Sequence, residues 1–373
     1  MSQYTVAVAG ATGYAGGEAL RILATHPNFA VTCVTGHSSI GDRLAIHMPH
    51  IPQLGNLVVE DTTAEVLNGH DVIILALPHG ASGKLAEHLD PHAIVVDLGA
   101  DHRLEQQKLW DEYYGGEFFQ HWTYGMPELI TGSNADGQVT RQRESIVGAK
   151  RIAGPGCNVT AVTLAFQPAL AAGLVDAQAI VANLAVGYSG AGKNLKRTNL
   201  LAAQAFGSAT PYGVGGSHRH IPEILQNLSH AAQASTTEPA TAEPASIKQD
   251  IAMSFTPMLV PMARGILASV VAPMTERAAG LTDEAIHEIW TQAYEGQDFI
   301  QVLPQGVMPA TADVIGSNAA HIQVAIDHRS HTLQAFAAID NLNRGTAGQA
   351  VQSLNIAMNL PEMNGLTMIG VAP

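Results

Sequence analysis

Charge is scarce in this chain, and what there is leans one way. Only 13% of the 373 residues are charged, with 18 Lys and Arg against 32 Asp and Glu, a formal net charge of −14. That balance argues against nucleic acid or an anionic membrane surface as a partner, while leaving room for a few cations to dominate one pocket. The two cysteines, Cys33 and Cys157, are too few and too far apart for a disulfide framework. No apolar run approaches the roughly 20 residues that span a bilayer. The opening Met1-Ser2-Gln3-Tyr4 leads into a strand with no basic region or cleavage signal, so a cytoplasmic location is expected. At 46% hydrophobic residues the chain reads as globular, and its length accommodates two domains.

What is present begins with a strand, a glycine turn and a helix. Tyr4 to Ala9 is apolar and β-rich, and Gly10-Ala11-Thr12-Gly13-Tyr14-Ala15-Gly16 places three glycines at three-residue spacing. Apolar residues then recur at helical spacing from Gly17 to Thr25, before Pro27. Glycines in that position permit a tight turn and close backbone approach to a pyrophosphate, so Gly10, Thr12, Gly13, Tyr14, Ala15 and Gly16 are candidate cofactor contacts. After a second strand, Val31 to Thr35, the chain reads Gly36-His37-Ser38-Ser39 where an NAD-specific fold would carry a carboxylate. Ser38 and Ser39 can instead donate to a 2′-phosphate, which favours NADP. Two further continuous apolar runs, Asp71 to Leu77 and Ala93 to Leu98, indicate a parallel sheet buried on both faces. The first ends at Pro78-His79-Gly80, a ligand-binding position in such sheets.

Cys157 follows Gly154-Pro155-Gly156 and precedes an apolar, helix-like stretch. The spacing predicts an exposed turn with the sulfur at a helix N-terminus, where free N–H groups and the macrodipole favour a thiolate nucleophile. Cys33, inside an apolar strand, reads as core. Beyond Cys157, candidate strands run from Ala179 to Val186, Ile251 to Phe255, Gly265 to Ala272, His321 to Ile326 and Gln334 to Ile339. Strand after strand predicts a mixed sheet in an α+β module. His218-Arg219-His220, before a helix starting at Pro222, can supply a general base or acid to the cysteine. No third ligand with recognisable spacing accompanies these histidines, so no metal is expected. Arg264, beside Gly265, reads by itself as a surface arginine and, as an alternative, as an anion clamp. The stretch from 230 to 250, rich in Ala, Thr, Glu, Pro and Ser, predicts a flexible surface insertion. Arg344 to Asn359 forms an amphipathic pattern expected to pack back on the first domain.

The ordered set of motifs resembles the N-acetyl-γ-glutamyl-phosphate reductases, NADP-dependent enzymes of arginine biosynthesis in the semialdehyde dehydrogenase superfamily. The resemblance covers nearly the whole chain. It includes Gly10 to Glu18, Ala76 to Gly80, Asp97 to Arg103, Tyr124 to Leu129, Pro155 to Cys157, Ser189 to Gly192, His218 to Ile224, Phe255 to Pro257, Arg264 to Ile266 and Asp340 to Leu342. It implies an α/β fold: a Rossmann-type doubly wound dinucleotide-binding domain over 1–156, completed by 344–373, and an α+β substrate and dimerisation domain over 157–343. It further implies that Cys157 attacks an acyl phosphate and expels inorganic phosphate, with NADPH reducing the thioester. By the same resemblance His220 is the acid/base residue, His218, Arg219 and Arg264 contact substrate, and Gly190 and Asn341 lie at the cofactor. A homo-oligomer, dimer or tetramer, is implied as well. One departure is local: the family usually has Tyr-Pro-Thr after the cysteine, and here stand Asn158-Val159-Thr160.

Three other readings compete. A reductase of aspartyl or N-acetyl-aminoadipyl phosphate would share fold, cofactor and cysteine. A non-catalytic NADP-binding sensor would have no use for a nucleophile. A cysteine hydrolase would leave the dinucleotide domain idle.

Overall fold

The computed structural model describes residues 3–134, 137–193, 202–235 and 251–372. In the first half, short apolar runs form β1 (Tyr4–Ala9), β2 (Phe29–Gly36), β3 (Val59–Asp61), β4 (Val72–Leu75), β5 (Ile94–Asp97) and β6 (Thr123–Tyr124). A separate antiparallel hairpin, β7 (Ile130–Ser133) and β8 (Val139–Arg141), precedes β9 (Arg151–Ala153), which returns to the sheet. The sheet order is β3-β2-β1-β4-β5-β9-β6, and every neighbour is parallel. Strands β4 and β5 are buried along their whole length, as expected when helices cover both faces. The strand order reverses between β1 and β4, which puts the glycine turn and Pro78 at one crevice, the usual ligand position in a doubly wound sheet.

The second sheet contains β10 (Ile180–Gly187), β11 (Thr210–Pro211), β12 (Met253–Val260), β13 (Ile266–Pro273), β14 (Ile300–Val302), β15 (Ala320–Asp327) and β16 (Thr332–Ile339). Its order is β11-β12-β10-β13-β16-β15-β14, with β10–β12 and β14–β15 parallel and the other neighbours antiparallel. Burial alternates along β10, β12 and β13, so one face meets the helices Cys157–Ala171 and Ile221–Ala232. The opposite face carries exposed Val181 and half-buried Val271, while Leu267 on the same face packs against Val314, Ala319 and Ala338.

Three expectations are corrected here. The strand expected to stop at Phe255 runs on to Val260. Pro257 does not break it, because its carbonyl accepts from Tyr212 N–H on the side of β11, where only two residues pair and little ladder is lost. The insertion expected from His230 does not begin there. Helix Ile221–Ala232 continues as a 3₁₀ turn to Ser235, with Ala231 and Ala232 buried and His230 Nε2 2.9 Å from Glu105, while 236–250 lie outside the described residues. The C-terminal segment begins as a π-helical turn, Asn343–Ala347, before helix Gly348–Ala357. Val351 and Leu354 of that helix join Leu20 and Leu23 in the core of the first sheet.

Candidate active site

Strand β9 delivers the chain to Gly154-Pro155-Gly156, and Gly156, in extended conformation, is the N-cap of helix Cys157–Ala171. The sulfur is thus at a helix N-terminus. The turn, expected to be exposed, is buried, because other groups close around it. A Cβ on Gly156 would lie 2.6 Å from His220 Nε2, and one on Gly345 would lie 2.7 Å from Cys157 Cβ. These glycines let the imidazole and the C-terminal segment press against the nucleophile. Cys157 lines a cavity of about 470 Å³ with His79, Tyr212, His218, Arg219 and His220.

Burial also changes the electrostatics. It pushes the Cys157 thiol up to about 11, and the N–H groups of Cys157 and Asn158 together with Arg103 pull down only part of that rise. The expected easy ionisation at the helix end is therefore outweighed in the empty site. Burial, then His218, Arg103 and His79, drives His220 well below its ordinary value. The resting pair is a neutral thiol beside a neutral imidazole whose Nδ1 has no protein partner among the described residues.

His218 has a different task. Its Nδ1 accepts the His220 N–H at 3.0 Å, and its carbonyl accepts the Ile221 N–H, closing a turn in which the two rings meet edge-on with centroids 4.9 Å apart. Its ring sits 5.0 Å from Phe255 and 5.4 Å from Tyr212. Burial, then Arg219, lowers it to about 4. Arg219 lies over the Tyr114 ring at 5.4 Å and is the sole Lys or Arg lining the Cys157 cavity among the described residues.

A network that carried no assigned role in the sequence reading holds the turn from below. Buried Glu223 accepts from Gly156 N–H at 3.0 Å and from Tyr124 Oη–H at 2.6 Å, and it pairs with Arg103 at 3.4 Å. Arg103 donates to Gly154 O and Leu98 O. All three residues lie inside the quoted motifs. The available signal was a Glu three residues after His220, which puts the two on one face of a helix start.

The cofactor candidates gather at the crevice. Gly10 has φ +74°, and a Cβ there would sit 2.2 Å from Ala76 O, while one on Gly16 would sit 2.3 Å from Gly10 O. Gly13 caps helix Tyr14–Leu23 without a side-chain bond, so the first-turn N–H groups remain available to an anion. Such a cradle fits a dinucleotide pyrophosphate. Tyr14 is exposed, and Ala15 is half-buried beside it. Ser39 is buried against Thr12 at 3.2 Å, and Ser38 is exposed. Pro78 follows β4, and Gly80 N–H donates to Asp101. Gly190 lines the Cys157 cavity and lies beside Asn341, whose Oδ1 accepts Gly265 N–H at 2.7 Å.

Arg264 lies apart from the other substrate candidates. It donates to Glu18 at 3.0 Å and to Asp340 at 3.2 Å, and it does not line the Cys157 cavity. Two buried carboxylates, one from each domain, need a cation, and Arg264 supplies it. Among the described residues no group of three His, Cys, Asp or Glu side chains is placed to hold a metal.

Residues 5–135 match the family described as semialdehyde dehydrogenase, NAD binding domain, and 157–341 match semialdehyde dehydrogenase, dimerisation domain. The chain is 70% identical, over all of both chains, to the N-acetyl-gamma-glutamyl-phosphate reductase of Bifidobacterium longum (strain DJO10A). It is 51% identical to that of Leifsonia xyli, over 99% of each. Among solved structures it resembles aspartate semialdehyde dehydrogenase II from Vibrio cholerae, with TM-score 0.64 at 15% identity over 96% of this chain and 99% of that one. That last likeness shows the fold alone. By identity across its full length, the chain belongs to the N-acetyl-γ-glutamyl-phosphate reductase family of semialdehyde dehydrogenases.

Proposed function

We propose that this chain reduces N-acetyl-γ-glutamyl phosphate to N-acetyl-glutamate 5-semialdehyde through a Cys157 thioester, using NADPH. The observation that carries the reading is the His220 ring packed against the backbone immediately before Cys157, beside a cavity that also reaches Gly190. The Cys157 proton passes to the His220 imidazole as sulfur attacks the acyl carbon. A C–S bond forms, the C–O bond to phosphorus breaks, and phosphate leaves with the electron pair. The anionic substrate favours the imidazolium, so the proton transfer belongs to the loaded site. Gly10–Gly16 and Asn341 would hold a reduced nicotinamide dinucleotide, which would supply the hydride that takes the thioester to the aldehyde. His220 then returns its proton to the departing sulfur.

Exposed Ser38, and Ser39 beside Thr12, support NADP over NAD. Exposed Val181 and half-buried Val271 on one face of the second sheet, in the region matching a dimerisation domain, support a homo-oligomer. A catalytic thiol needs a reducing compartment, which supports the cytoplasm. The test supplies N-acetyl-glutamate semialdehyde, inorganic phosphate and NADP⁺ and follows NADPH absorbance. Turnover is expected in the wild type and not in Cys157→Ser, which should still bind NADP⁺. Ser38→Asp should erode the preference for NADP⁺ over NAD⁺. Turnover with aspartate semialdehyde and none with the N-acetyl substrate would sink the assignment.

A further inference from the structure

A second cavity, of about 290 Å³, lies behind the first and shares His79, Tyr114 and Arg219 with it. Tyr114 is the wall between them: its ring stacks on buried Trp110 at 4.6 Å and meets His79 edge-on. Arg219 lies on that wall with no side-chain hydrogen bond or ion pair among the described residues. The second cavity adds one more cation, Lys84, which is 3.9 Å from Glu117. In a chain of net charge −14, two neighbouring chambers thus share one uncommitted guanidinium, and the outer one has a lysine of its own.

We propose that the outer cavity is a holding and exit site for inorganic phosphate, received from Arg219 and retained by Lys84. The inference rests on the acyl-phosphate reaction above. Once the C–O bond breaks, the displaced dianion remains a nucleophile toward the thioester, so moving it past Tyr114 separates it from the acyl carbon. Arg219 suits the transfer because it lines both chambers and has no carboxylate partner among the described residues.

The experiment runs the reaction toward acyl phosphate, where phosphate is a substrate and its KM reads the site. Lys84→Gln should raise the phosphate KM about three- to tenfold, and Glu117→Gln should lower it about two- to threefold by releasing Lys84. The KM values for the semialdehyde and NADP⁺ should stay within about twofold, because neither side chain lines the Cys157 cavity. In parallel, inorganic phosphate is titrated calorimetrically into the NADP⁺-loaded wild type and both variants, with the same ordering of affinities expected. Wild-type turnover with an unchanged phosphate KM in both variants overturns the proposal, as does competition between phosphate and NADP⁺, which would assign the cavity to the cofactor. An inactive wild type whose calorimetric phosphate affinity still falls in Lys84→Gln would leave the cavity standing and remove the proposed reaction instead.

Discussion

At the scale of single residues the site turns on a thiol and an imidazole that are both neutral when it is empty. Burial holds the Cys157 thiol at about 11 and His220 far below its ordinary value, which disfavours a thiolate–imidazolium pair. Iodoacetamide labelling of Cys157 in the free enzyme, followed by peptide mass spectrometry, should accelerate about tenfold per pH unit from neutrality up toward about 11. A rate already level below pH 8 would mean a resting thiolate. His220→Asn should lower kcat about 10²–10⁴-fold, the usual worth of positioned acid/base help, while NADP⁺ binding persists. His218→Asn should act chiefly on the turn, since the wild-type ring accepts the His220 N–H rather than facing Gly156.

At the scale of elements the catalytic turn is a junction. Strand β9, helix Cys157–Ala171 and helix Ile221–Ala232 meet there, and Glu223 with Arg103 and Tyr124 fastens them through Gly154 and Gly156. Side chains of Arg103 and Glu223 are 6% and 1% exposed, so removing either charge strands the other in the interior. Glu223→Gln should cost about 3–5 kcal/mol of stability, read as a fall in the thermal midpoint. Tyr124→Phe, which deletes one hydroxyl, should cost about 1–3 kcal/mol. A milder loss for Glu223→Gln than for Tyr124→Phe would show that the Arg103 pairing contributes little. Because a glutamine carbonyl can still accept from Gly156 and Tyr124, which share one carboxylate oxygen, kcat should suffer less than in His220→Asn.

At the scale of the whole molecule, the two domains are held in register by Glu18, Arg264 and Asp340. Glu18 belongs to the helix that opens at the glycine turn, and Asp340 precedes Asn341, so this ion pair spaces the two halves of the cofactor crevice. Burial alone would raise Glu18, but hydrogen bonds from Arg21 and Arg264 hold it below its usual range. A carboxylate lowered in the fold contributes stability above its unfolded value, near 4.5, and loses it as pH falls through the folded one. Arg264→Met should therefore destabilise the protein at neutral pH and flatten the loss of thermal midpoint on acidification below about 4.5. It should also raise the KM for NADP⁺ about threefold or more, with a Glu18→Gln/Arg264→Met double variant falling short of the sum of the singles. Additive effects, or an unchanged KM for NADP⁺, would reduce Arg264 to a local surface contact.

The sequence by itself determined the local and periodic features. Continuous apolar runs yield buried parallel strands, and the glycines at 10, 13 and 16 yield a turn that no side chain can enter. The Gly-Pro-Gly run before Cys157 sets the helix start, and the ordered motifs carry the family. Only the tertiary structure decided what depends on distant partners. It buried the catalytic turn, raised the thiol and turned His218 away from Gly156. It joined Arg264 to Glu18 and Asp340, over separations of 246 and 76 residues. Chain spacing is silent on such contacts, because the ionisation of a thiol and the partner of an arginine are set by the burial and charge that folding brings to them.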